Sequence, residues 1–135
     1  MSDLEQLFEP PISVYTRGQA LDDGVLVSAM TPDLAEVTRQ HFKIPVAMTV
    51  GVAEVIDRAV AHPRHCNDRR GVWHDICWML NRKIAGLPSD RSDELFFDVI
   101  ITGAAPTKKL WTLKAVIGSD DADEACLTVL LPGED

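Results

Sequence analysis

The sequence predicts an α+β domain, with N-terminal helices packed on one face of a C-terminal three-stranded antiparallel meander and a short N-terminal strand available to extend the sheet. Two patterns predict it. From residue 31 to 86 apolar residues recur three and four apart, the period of a helix, while from residue 94 onward they alternate with period two. Size is the third observation. The chain has 135 residues, 46% hydrophobic and 25% charged, with no internal repeat, which is enough for one core. Residues 1–12, ending in "EPPIS", read as a flexible lead-in, because paired prolines forbid helix. Residues 13–135 read as a single α+β domain.

Each element follows from local chemistry. Thr16 is placed to cap a short helix over "RGQALDD", which Gly24 stops, and "VLVS" reads as a short strand. In "TPDLAEVTRQHF", Thr31 fits an N-cap and Pro32 the first helical position, with Leu34, Val37 and His41 on one face. "KIPVAMT" reads as a connection. Thr49 then caps a second long helix, whose Val52, Val55, Ile56, Ala59 and Val60 form an apolar stripe ended by Pro63. A third spans about Gly71 to Gly86, with Trp73, Ile76, Cys77, Leu80 and Ile84 toward the core. His74, Asp75, Asn81 and Arg82 fall on the other side, and Trp78 lies near the polar flank. After "PSDRSD" come three alternating runs. Leu95, Phe97, Val99 and Ile101 share one face of the first; Trp111, Leu113, Ala115 and Ile117 of the second; Leu127, Val129 and Leu131 of the third. Short links between them suit antiparallel neighbours.

A net charge of −8 argues against broad nucleic-acid binding, which requires a basic surface to neutralise phosphates. The acidic residues gather in turns such as "LDDG" and "SDDADE", where aspartate is favoured by local backbone hydrogen bonds. "TKK" with Lys114 makes one small basic spot, and lysines of this kind suit an edge strand, where they block sheet-to-sheet pairing. The N-terminus carries no basic and apolar export signal, and no apolar run nears the roughly 18 residues of a membrane span. Three cysteines without such a signal read as reduced thiols in the cytoplasm.

"ISVYTRGQALDDGVLV", "WMLNRKI", "LWTLKAVIGSDD" and "LTVLLPGED" resemble, in order and over most of the chain, an uncharacterised family of small proteins found largely on bacterial plasmids, phages and integrative elements. The resemblance implies an accessory protein of mobile DNA acting on a host or element-encoded macromolecule. It implies no reaction and no catalytic residues.

The run "HPRHCNDRRGVWHDIC" holds three of the four histidines and two of the three cysteines. His65, Cys66, His74 and Cys77 supply the four N/S ligands that structural zinc takes, so a small metal-binding domain is the alternative reading. Against it, Cys77 falls in the apolar stripe, where a small hydrophobe is wanted, and the spacing matches no tandem Cys pattern. Cys66, beside His65, lacks a geometrically poised base, which makes it a surface thiol. No phosphate loop, serine elbow or HExxH helix appears, so no cofactor and no enzyme activity are expected. The leading expectation is a protein that works through protein contacts, in one form as an acidic decoy. Tyr15, Arg17, His74, Trp78 and Arg82 are its candidate contact residues, because aromatic and arginine side chains anchor interfaces.

Overall fold

In the computed structural model the described residues are 16–86 and 93–134. They form four helices, α1 (Arg17–Asp22), α2 (Ala35–His41), α3 (Val50–Ala61) and α4 (Arg69–Ala85). Five strands accompany them: β1 (Leu26–Ser28), β2 (Val46–Thr49), β3 (Glu94–Ile100), β4 (Leu110–Ser119) and β5 (Ala125–Leu130). The strands make one sheet in the order β1-β2-β5-β4-β3. β3, β4 and β5 pair antiparallel as neighbours, and β5 then pairs parallel to β2, with β1 antiparallel on the far side.

The fold class is therefore α+β, but the expected three-stranded meander is corrected to a five-stranded mixed sheet. The added strand is β2, read from sequence as a connection. All four of its residues are buried, so it lacks the alternation that marks a half-exposed strand. The short N-terminal strand does join the sheet, as its edge next to β2. β4 is an interior strand, so its lysine is no edge guard. Lys114 is buried, donating to the Glu134 backbone carbonyl and standing 3.8 Å from the Glu94 carboxylate.

One sheet face carries Leu95, Phe97, Val99, Trp111, Leu113, Ala115, Leu127, Val129 and Met48, all in the main core with the buried stripes of α3 and α4. The predicted alternation is complete in β3 alone; β4 also buries Lys114, and β5 buries Cys126 and Leu130 on its other face, so these two strands are covered on both sides. Trp73 lies fully buried at the α2–α4 contact. Its indole N–H donates to the Thr38 hydroxyl at 2.9 Å, and that hydroxyl reaches the Ala29 carbonyl at 2.8 Å.

Helix α1 lies against the opposite face, which corrects the expectation that all helices share one side. The Arg17 guanidinium donates to Thr128 Oγ1 at 2.6 Å and to the Leu127 carbonyl at 3.1 Å. Thr16 caps α1 as expected, with a reciprocal bond from Gln19. The Asp121 carboxylate, reaching from the β4–β5 turn, accepts from the first two helix amides, Arg17 and Gly18, at 3.1 and 3.0 Å. Thr49 caps α3, and the Glu134 carboxylate accepts from the Thr49 hydroxyl at 2.6 Å and the Leu131 amide at 2.8 Å. Helix α2 begins three residues later than Thr31 and Pro32 suggest. Residues 32–34 form turns instead, and the Thr31 hydroxyl goes to Asp33 at 2.6 Å.

Candidate functional site

Helix α4 positions the site. Asp68 caps it through the Gly71 amide at 3.3 Å, and Val72, Trp73, Ile76, Cys77 and Leu80 form its buried stripe. The next positions around the helix, Trp78 and Met79, are held outside that stripe. Trp78 is 48% exposed and Met79 38%. On one flank Trp78 meets two histidines. The His74 ring stacks on it at 6.3 Å between centroids, and His41, from the end of α2, meets both rings edge-on at 6.2 Å from Trp78 and 5.0 Å from His74. Asn81 fixes that corner by donating to the His41 carbonyl at 3.0 Å. The His41 Nε2 is buried with no hydrogen-bond partner among the described residues. Desolvation, and secondarily the neighbouring His74, hold its pKa below the usual imidazole range. Both effects favour the neutral imidazole.

On its other flank Trp78 borders a groove of about 290 Å³ between α4 and strand β3. Met79, Ile100 and Leu110 supply its apolar wall, and Asp75 and Asp98 place carboxylates at its rim. Ile100 is 65% exposed and Leu110 57%. The two are direct cross-strand partners at the end of the β3–β4 ladder. Since β3 is an edge of the sheet, the groove runs along unpaired backbone.

The residues singled out from sequence separate into several places. His74, Trp78 and Arg82 follow one another at successive turns of α4, with His74 half-buried and the other two exposed. Arg17 is not at this surface, because its guanidinium ties α1 to β5. Tyr15 and the lead-in over residues 1–12 lie outside the described residues. The four proposed zinc ligands are not assembled. Among the described residues no group of three or more His, Cys, Asp or Glu side chains is arranged to hold a metal ion. His65 and Cys66 stay in the loop before α4, where the His65 ring lies tilted at 50° to that of His62, 4.6 Å between centroids. Cys66 is an exposed thiol with a positive φ of 50°. Cys77 is buried in the core, and desolvation pushes its thiol up to about 12, which removes the thiolate that a metal or an electrophile needs.

Sequence reasoning missed His41, Met79, Ile100 and Leu110. Ile100 and Leu110 fall on the side of their strands away from the helices, and only their exposure distinguishes them from ordinary sheet residues. Comparisons with protein-family models, curated proteins and solved structures give no match for this chain. Among the described residues no helix is long and apolar enough to cross a membrane.

Proposed function

We propose that this protein is a non-enzymatic accessory protein that works through protein contacts, with the groove beside Trp78 as its docking site. The observation that carries this reading is a half-exposed tryptophan, braced by two histidines, on a groove whose Met79, Ile100 and Leu110 also stand open to solvent. Large apolar side chains gathered in one place mark interaction sites, and a rigid aromatic loses little conformational freedom when it is covered. The resemblance of the sequence to proteins of plasmids and phages supports placing it with a mobile genetic element. Its partner is then a host or element-encoded protein.

An acidic decoy is the weaker form of this idea. Several carboxylates that such a surface needs already have partners within the chain: Asp33 and Asp57 pair with Arg69 and Glu36 with Arg70 at the surface, and Asp121 and Glu134 hold helix ends. The charge of −8 selects cationic partners, and the groove gives them a place.

Affinity capture from host lysate tests the reading with three baits: the wild-type chain, Trp78→Ala, and Val25→Ala as a control at another exposed apolar position. The expected result is a protein retained by wild type and Val25→Ala and lost with Trp78→Ala. Equal recovery by all three baits, or recovery by none, overturns the groove as the docking site.

A further inference from the structure

We infer that the groove takes its partner by strand addition, and that the added segment is an extended stretch of another protein alternating apolar and basic residues. This deepens the docking reading and rests on it. Among the described residues β3 is a sheet edge, paired only with β4. Its outward backbone groups follow from the ladder. The Ile101 amide donates to Lys109 at 2.9 Å, and Asp93 accepts from the Ile117 amide at 2.8 Å. In an antiparallel pair every second residue bonds to the neighbour, so residues 95, 97 and 99 also turn inward. The backbone groups of Phe96, Asp98 and Ile100 therefore face away from the sheet, in line along the groove.

The side chains around this edge define what fits. A strand laid beside β3 would turn alternate residues toward α4, under Trp78 and Met79, which calls for apolar groups. The others would lie beside Phe96, Asp98 and Ile100 on the opposite face. Phe96 and Ile100 are exposed apolar neighbours, and Asp98 between them is a carboxylate that accepts from the Thr112 hydroxyl at 2.6 Å. A lysine or arginine beside Asp98 answers that charge, and Asp75 on the helix side of the groove adds to the attraction. A second copy of this chain is the wrong occupant. It would bring its own β3 carboxylates and a further −8 to the same edge.

The test uses the full chain and a fluorescein-labelled probe peptide of about nine residues, within the usual range of strand lengths and long enough to span β3, alternating valine and lysine. A valine–glutamate peptide of equal length is the control. Anisotropy should give the valine–lysine peptide an affinity at least about tenfold higher, and Asp98→Lys should reverse the preference. In ¹⁵N spectra the amides of Phe96, Asp98 and Ile100 should become protected from exchange. Ile100→Pro removes one outward donor without touching the ladder to β4, and should abolish protection while circular dichroism stays unchanged. Should that variant not fold, the reversal by Asp98→Lys still decides the matter. Equal affinity for the two peptides, or binding without protection of these amides, overturns strand addition. Capture that depends on Trp78 with no protection of β3 leaves docking standing and removes only the strand. Protection of β3 with capture indifferent to Trp78→Ala removes the docking reading instead.

Discussion

Thr38 shows how much of this core depends on one hydroxyl. It is fully buried, accepts from the Trp73 indole and reaches the Ala29 carbonyl. Valine has nearly the same shape but offers neither interaction, leaving a buried donor and a buried acceptor unpaired. Thr38→Val is expected to cost about 1–3 kcal/mol, read as a lower urea midpoint at unchanged slope, and Thr38→Ser to recover a large part of it. An unchanged midpoint in the valine variant would mean that the indole N–H has another partner. Cys77 illustrates the opposite case, a heteroatom that does no polar work. The helical phase of "WHDICWML" placed it with the core, and burial there makes it a small hydrophobe. The same phase set Trp78 off the core. Nothing local connects it with His41, which lies 37 positions earlier and arrives only when α2 packs on α4.

At the scale of elements, turns distant in the sequence brace the starts of two helices. "TRGQALDDG" and "IGSDD" meet where Asp121 takes the first amides of α1, and "LPGE" meets α3 through Glu134. A six-residue helix cannot hold itself together in water, so α1 depends on these contacts. Asp121→Ala is expected to lower stability by about 1 kcal/mol, the usual worth of a helix N-terminal acceptor, with Asp121→Asn losing less. Thermal unfolding followed by circular dichroism measures it, and no change in either variant would remove the brace. Sequence legibility follows the same division. Caps at Thr16 and Thr49, the stripes of α3 and α4, the alternation of β3 and the core-facing positions of β4 and β5 are local signals and were readable. β2 was not, being four residues long, buried throughout and joined directly to the cap of α3. The groove was hidden for a related reason. In the expected meander β3 is already an outer strand; that it stays uncovered depends on β2 and β1 adding beside β5 and not beside β3, a long-range fact that no residue of β3 records.

For the molecule as a whole, the sheet is held from its middle. β2, β5 and β4 are its interior strands, and the fully buried Met48, Leu113 and Val129 sit on them. Native-state hydrogen exchange should be slowest along these strands and, within the sheet, fastest at the outward amides of Phe96, Asp98 and Ile100. Slowest exchange in α4 instead would make the helix layer, and not the sheet, the last part to open.

The central seam also imposes an order in time. β5 joins β2 to β4, yet it follows both in the chain, and Met48 meets Val129 across a separation of 81 residues. During synthesis the β1–β2 and β3–β4 pairs emerge as two fragments with no strand pairing between them, joined through the helix layer, each with an unfilled edge facing where β5 will go. Neither fragment can close its core until residues 125–130 arrive. Such a chain folds late and slowly for its size, and while it waits those inner edges, not the outer edge of β3, are the surfaces a chaperone must guard.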